Sequence, residues 1–453
     1  MGKIKFANLK KTIYYLRRNG IKSTLNAVKE RLDGEKQPDY CREPVSRETL
    51  QMQREQTEAG FSQIMFSIVV PAYRTPETFL REMLESVISQ SYTRWELIVA
   101  DASEDDCVKS VVETYRDARI RYYRLSGNNG IAENTNEGIS LTVGDYVALL
   151  DHDDVLTENA LFEAAVLIEE SRKHGTTLQM LYSDEDKCNG DMTNFYEPHF
   201  KEKFNLDLLL SNNYICHLLV IKRELMQSLM LRREYDGAQD FDLVLRAAER
   251  LMGNENEIAH IPMVLYHWRC HSSSTAENPR SKMYAYEAGR RAVQDFADRM
   301  GWKARATDTE HLGFYRLEYE ENLFAVREDI GAVGGRLISR NKIAGGRMSG
   351  DGKIFYDGLP ASFSGYMHRA VLQQDAEALD IRNLELRSTL RDLFSEVLGV
   401  AYITLPGTEI FDASKLPENM DYIRASLELC KAIRERGYRL LYLPERTQNI
   451  SED

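Results

Sequence analysis

The chain lacks any apolar run long enough to span a bilayer, and its first residues lack the apolar core of a signal peptide. Its six cysteines (Cys41, Cys107, Cys188, Cys216, Cys270, Cys430) are scattered without a CxxC pair. That argues against a disulfide framework or a thiolate zinc site and for free thiols in a reducing cytosol. No GxGxxG follows the first strand pattern, where "PAYRTPET" stands instead, and there is no GxxxxGK[ST]; a dinucleotide-binding Rossmann domain and a P-loop are both disfavoured. A nucleotidyltransferase would need a glycine-rich basic loop at the same place, which is also missing. Basic charge is scarce outside the N-terminus. Residues 1–31 hold nine Lys or Arg against Glu30, a net +8, so the other residues carry −21 of a total of −13. An acidic body does not suggest a nucleic-acid partner.

What is present suits a folded protein of two to three domains: 453 residues, 43% hydrophobic and 28% charged. The basic head has helical spacing, with Phe6, Leu9, Ile13 and Leu16 in one stripe and Ile21, Leu25, Val28 and Leu32 in another past Asn19-Gly20. A basic amphipathic helix suits an anionic membrane face; docking on the main body is the alternative. A polar linker is expected over residues 33–60.

Beyond it, strand and helix patterns alternate. "FSIVVPAY" (66–73), "WELIVAD" (95–101), "RIRYYRL" (119–125) and the strand before Asp151 read as β, separated by helices over 76–90, 108–115 and 131–143. This order predicts a mostly parallel sheet with right-handed crossovers and helices on both faces. "LQMLYSDED" (178–186) is a further strand ending in acids. "GAVGGRL" (331–337) reads as a strand-adjacent turn. In open parallel sheets ligands gather beyond the carboxyl ends of the strands. There "GDYVALLDHDDVL" places Asp151, His152, Asp153 and Asp154, and "WELIVAD" places Asp101. Carboxylates so crowded suit a hard cation, Mg²⁺ or Mn²⁺. A polar turn with a helix cap near Thr157 is the plainer alternative.

Five co-linear segments over roughly residues 64–300 resemble bacterial family 2 glycosyltransferases, nearest the branch that builds rhamnan backbones and O-antigens. They are "SIVVPAYRTPETFLREMLESVISQSYTRWELIVADAS", "NNGIAENTNEGISLTVGDYVALLDHDDVL", "YSDEDK", "GAQDFDLVLRAAE" and "HIPMVLYHWRCHSSSTA". The resemblance implies a GT-A fold, an inverting reaction, a nucleoside-diphosphate sugar (UDP or dTDP) as donor, and Mg²⁺ or Mn²⁺. It also assigns roles. Pro71, Ala72 and Tyr73 would contact base and ribose. Asp101 would recognise the pyrimidine, although "DAS" is one acid short of the usual "DDxS". Asn134 and His152 would line the nucleotide pocket. Asp151 and Asp153 would form the DxD pair, with Asp154 sharing or replacing one role. Asp240 would be the general base, with a helix cap as its alternative role, and Gln239 beside it would contact donor or acceptor. His267 would add a third ligand or a phosphate contact, Arg269 would clamp the diphosphate, and Trp268 would stack on the acceptor. Asp184 and Asp186 would bind donor or acceptor hydroxyls. Core packing or a solvated loop are the plainer roles for these last five.

The expected organisation is therefore residues 1–60 as basic helical segment and linker, 61–300 as the GT-A domain, and 301–453 as a degenerate transferase-like α/β half. The last reading rests on "DYIRASLELCKAIRERGYRLLYLPE" (421–445), which echoes the segment from Gly237, with Arg424 opposite Asp240 and Ser426 opposite Asp242. Its roles would be structural, acceptor binding or a homodimer interface. The expected protein is cytoplasmic, peripheral on the inner face of the membrane, and acts on a glycan acceptor in lipid-linked form. A non-catalytic glycan-binding scaffold is the other class, and a sugar nucleotidyltransferase a weaker third.

Overall fold

A computed structural model describes residues 6–33, 40–271 and 283–450. The chain opens with α1 (Phe6–Asp33), bent at Gly20, and α2 (Arg47–Glu58). Alternation then begins: β1 (Phe66–Ala72), α3 (Glu77–Ile88), β2 (Trp95–Asp101), α4 (Cys107–Val112), β3 (Ile120–Arg124), α5 (Ile131–Ser140) and β4 (Tyr146–Leu149). Next come β5 (Val155–Leu156), α6 (Ala160–Lys173), β6 (Met180–Asn189), β7 (Phe195–His199), α7 (Leu206–Ser211), β8 (Leu219–Lys222) and α8 (Arg223–Leu229). The series closes with α9 (Gln239–Arg250), β9 (Ile258–Cys270) and α10 (Met283–Arg299).

Two compact units divide the chain. The central one holds residues 37–204 and 213–296; the other holds 1–36, 205–212 and 297–453. In the central unit one sheet runs β3-β2-β1-β4-β8-β6-β9-β5, with β7 beside β6. β1 and β2 are buried along their whole length, which is why they read as unbroken apolar runs: a parallel strand covered on both faces has no polar side. α3 turns Leu80, Met83, Leu84 and Val87 inward, the one-stripe pattern of an amphipathic helix. The first four strands are parallel. β8 then runs antiparallel to β4 and β6, so β6 and its parallel neighbour β9 point the same way as β4. Ala72 pairs with Asp101 and Val69 with Leu149. The loops after β1, β2 and β4 therefore open on a single edge.

The structure corrects three expectations. The polar stretch taken for a linker contains α2, capped by Ser46, whose Oγ accepts from the Thr49 amide at 3.1 Å. Its inward residues are polar, Gln53 and Thr57, and Gln53 is held by Ser91 and Glu163. A helix buried through hydrogen bonds carries no apolar period to detect. Second, "GAVGGRL" is not a turn but the strand Ile330–Gly334 leading to Leu337–Ser339. A Cβ on Gly331 would come within 2.7 Å of the Ile433 and Tyr438 side chains, so this glycine serves close packing. Third, the boundary near residue 300 is not a single cut. The second unit takes in α1 and residues 205–212. There Arg327, wholly buried, pairs with Asp207 at 2.8 Å and with Asp329 at 2.8 Å.

In that second unit the helix, turn, strand and proline expected over 421–445 are present as Tyr422–Glu435, Arg439–Tyr442 and Pro444. Ser426 is buried and bonds back to the Tyr422 carbonyl. The strand Arg439–Tyr442 lies parallel only to Ile330–Gly334, in a four-stranded mixed sheet. Arg18, Asn19 and Ser23 tie α1 to Thr309 and Glu310, and Glu30 accepts from the Ser364 and Gly365 amides. Ile21 and Leu25 are left 71% and 55% exposed. The side chains of Phe6, Leu9, Ile13 and Leu32, also expected in the apolar stripes, lie outside the described residues.

Candidate active site

At the edge where β1 and β4 end, a small pocket opens to solvent. Its floor is Pro71, Leu149 and Leu150, one wall is α5 through Ile131 and Thr135, and its polar groups are Asp151, His217, Gln239 and Asp240. The chain reaches α9 through Gly237, whose φ is +93° and where a Cβ would lie 2.6 Å from the Tyr284 ring. Only glycine meets both demands cheaply. Asp240 then sits in the first helical turn, its Oδ2 accepting from Asn213 Nδ2 at 2.9 Å. Gln239 Oε1 accepts from the Gly237 amide at 2.7 Å. The cap of α9 is not Asp240, nor Asp242, which is buried under Arg232 and Arg246.

Asp151 is half exposed toward solvent, with 51% of its side chain accessible. The desolvating walls of the cleft raise its pKa, Asp153 and Asp240 add to the rise, and His217 opposes it. His217, a residue given no role from sequence, stands 3.9 Å from Asp151 and stacks on Tyr266 at 4.7 Å. Burial would lower its pKa, but hydrogen bonding and charge from Glu185, then Asp151 and Asp154, lift it to about 9. Glu185 accepts from the His217 amide at 2.7 Å and contacts His199 at 3.4 Å. No histidine motif marks this pair in the sequence, since Glu185 and His217 are 32 residues apart and meet only because β6 and β8 are neighbours.

Among the residues expected at the site, Asp153 lies beside His271, Oδ2 to Nε2 2.8 Å. His152 leaves its buried Nδ1 without a hydrogen-bond partner among the described residues. Ala72 is backbone support, its carbonyl accepting from Ala102, while Tyr73 reaches Glu104 at 3.3 Å. Asn134 bridges its own loop, accepting from Asn129 and donating to Asn128. Asp101 is wholly buried and occupied by the Ser103 amide at 2.9 Å and the Tyr122 hydroxyl at 2.7 Å. It braces the loop after β2 and does not line the pocket.

Five other expected site residues are engaged elsewhere. Successive side chains on β9 point to opposite faces, and the Tyr266 and Trp268 rings lie at 4.7 and 6.1 Å from His217. His267 and Arg269 therefore look the other way. His267 bonds Asp186 at 2.5 Å. Arg269, fully buried, is spent on the Asp153 carbonyl at 2.6 Å, the Gly190 carbonyl at 2.7 Å and Glu82 at 2.6 Å, so it is a structural tie and not a diphosphate clamp. Asp154 is buried beneath Tyr266 and the Arg269 amide at 2.6 and 2.7 Å, and burial pushes its carboxyl well up. On β6, Asp184 is held by Lys201 and His260, and Asp186 by Tyr40 and His267. Both are interior ties. Among the described residues, no group of three or more His, Cys, Asp or Glu side chains converges as a metal site. The expected set of Asp151, Asp153, Asp154 and His267 is not brought together.

This edge of the sheet belongs to a segment that is similar to known proteins. The model of glycosyl transferase family 2 matches residues 67–230, the span that builds β1 to β8. Over that span the chain is similar to glycosyl transferase family 2. It is 32% identical over 374 residues to the protein y4gI of Sinorhizobium fredii, covering 74% of this chain and 40% of that one. It is 36% identical over 259 residues to the O-antigen biosynthesis protein RfbC of Myxococcus xanthus, covering 56% of this chain and 20% of RfbC. The chain thus spans less than half the length of either relative. Among solved structures, S. aureus TarS residues 1–349 in complex with UDP is 21% identical, with 51% of this chain and 65% of that one covered and a TM-score of 0.40. The family 2 match ends before Asp240, so the helix that carries it lies beyond the matched residues.

Proposed function

We propose that this protein is an inverting glycosyltransferase. It moves a sugar from a nucleoside-diphosphate sugar, UDP or dTDP, to a hydroxyl of a cell-surface polysaccharide precursor. The observation that carries the reading is the pocket in which Asp151, His217 and Asp240 face one another at the carboxyl edge of a segment similar to family 2. The name of RfbC supports the choice of polysaccharide.

An acceptor hydroxyl is a weak nucleophile until a neighbour takes its proton, a service worth about 10²–10⁴-fold in rate. Asp240, aimed by Asn213 from the start of α9, takes that role. One carboxylate is enough for inversion, because attack comes from the side opposite the leaving group. At the leaving side, His217, held by Glu185, presents its ring where the diphosphate departs, a place for the kind of electrostatic stabilisation that dominates many active sites. Asp151, with Asp153 two residues on, would hold a Mg²⁺ or Mn²⁺ ion, which keeps waters and substrate phosphates as its other ligands. When bound, such an ion neutralises charge on the leaving phosphate. Pro71 and the loop after β4 form the donor side, and Trp268, beside His217, faces the acceptor.

A screen of UDP- and dTDP-sugars for donor hydrolysis, with and without Mn²⁺, tests the proposal. Release of nucleoside diphosphate from at least one donor only with metal is expected; silence across the panel would refute it.

We further propose that α1 holds the protein on the anionic inner face of the membrane. Among the described residues no helix is long and apolar enough to cross a bilayer, but Leu16, Ile21, Leu25 and Val28 are exposed next to Arg17, Lys22 and Lys29. Burying one such side chain is worth about 1.5–3 kcal/mol. Flotation with phosphatidylglycerol vesicles should drop at least tenfold in the Ile21→Glu, Leu25→Glu protein; equal flotation of both proteins would end the idea.

A further inference from the structure

His267 and its surroundings make up a second pocket, of about 300 Å³, that shares no residue with the first. It lies between residues 40–45, the β5–α6 turn and β9. Four of its lining residues each carry a buried side-chain atom with no hydrogen-bond partner among the described residues: Thr157 Oγ1, Glu158 Oε2, Asn159 Oδ1 and His267 Nε2. Thr157, Asn159 and His267 are 7%, 3% and 0% exposed. Buried polar atoms are paired almost everywhere in folded proteins, and each exception asks for an explanation. Here four exceptions line the same pocket.

The roles of these atoms are fixed by their other bonds. Asp186 receives the Tyr40 hydroxyl at 2.7 Å and faces His267 Nδ1 at 2.5 Å, so Nδ1 donates there, and in the singly protonated ring Nε2 offers a lone pair. Asn159 spends its Nδ2 on Glu163 at 3.1 Å, which leaves Oδ1 as an acceptor. Glu158 lies 3.9 Å from Arg42, beyond hydrogen-bond reach. The walls thus present three acceptors and a hydroxyl, and call for a ligand rich in donors. A cation is disfavoured by Arg42, which also lines the pocket. Pro44, Val45, Met263 and Val264 supply apolar surface between the acceptors. Hydroxyl donors around a ring with C–H faces match both features.

We propose that this pocket is a saccharide-binding site, separate from the transfer pocket, in which Thr157, Glu158, Asn159 and His267 engage the hydroxyls of one sugar ring. It would let the enzyme hold a sugar unit of a glycan away from the reacting end. The inference does not depend on the chemistry proposed for Asp240, since it rests on residues the transfer reaction does not use.

Saturation-transfer NMR on the full chain decides it, with the methyl glycosides of glucose, galactose and rhamnose and with N-acetylglucosamine as probes. At least one sugar should show saturation transfer that excess UDP leaves in place. Its affinity should fall about fivefold to tenfold in Thr157→Val and tenfold or more in Glu158→Ala, the range for a neutral and a charged hydrogen bond. If Thr157→Val shifts the unfolding midpoint, Glu158→Ala carries the comparison, because that side chain is 34% exposed. No transfer from any of the four sugars would mean that water alone satisfies these atoms. Transfer abolished by UDP, or unchanged in both variants, would place the sugar elsewhere. Each of these results overturns the site.

Discussion

Asp240→Asn should lower the rate of sugar transfer by about 10²–10⁴-fold while leaving the affinity for nucleoside diphosphate within twofold of the parent. The substitution keeps the size of the side chain and still offers an oxygen to Asn213, which bonds Asp240 at 2.9 Å. Only the capacity to take a proton is removed. Steady-state rates and UDP titration on the same preparation separate the two effects. Transfer near the parent rate would show that another group activates the acceptor, and a parallel loss of UDP affinity would show that Asp240 belongs to the donor side.

Arg327→Met should destabilise the second unit by about 3–5 kcal/mol, the cost of breaking a buried ion pair from one side. Arg327 has no exposed surface, stacks over Trp302 at 4.2 Å and bonds both Asp207 and Asp329. Methionine preserves much of the packing and leaves Asp207, 4% exposed, without its counter-ion. Arg424→Ala provides the contrast. That arginine is 77% exposed in an i,i+4 pair with Glu428, and exposed pairs of this kind contribute little. The urea midpoint should fall clearly for the first variant and stay in place for the second. Equal midpoints for Arg327→Met and the parent would mean that Asp207 finds compensation elsewhere.

These two arginines also show what a sequence reveals. Strands β1 and β2 were legible because both faces are buried and the apolar run is unbroken; α3 was legible because its stripe has a single period. The acids after β4 were legible because they interrupt an apolar strand abruptly. Face was harder to read than position. His267 and Trp268 are neighbours in sequence, and a motif treats them together, yet the pleat sends one toward His217 and the other toward Asp186. Asp101, Asp154 and Arg269 look like ligand-binding groups in a string of letters and prove to be consumed by internal partners. His217 escaped notice for the opposite reason. Its importance comes from Glu185 and Tyr266, contributed by other strands. α2 was hidden because its buried side is polar, and the membership of residues 205–212 in the second unit because it depends on pairs such as Asp207 with Arg327, 120 residues apart.

The central claim is that Asp151 and its neighbours bind a nucleoside diphosphate through a divalent ion. Isothermal titration of UDP and dTDP into the protein, with and without Mn²⁺ and repeated on Asp151→Asn, tests it most directly. The account predicts binding of one nucleotide that strengthens at least tenfold with Mn²⁺ and loses that dependence in the variant. Absence of binding by either nucleotide, or binding to Asp151→Asn that responds to Mn²⁺ as the parent does, would contradict it.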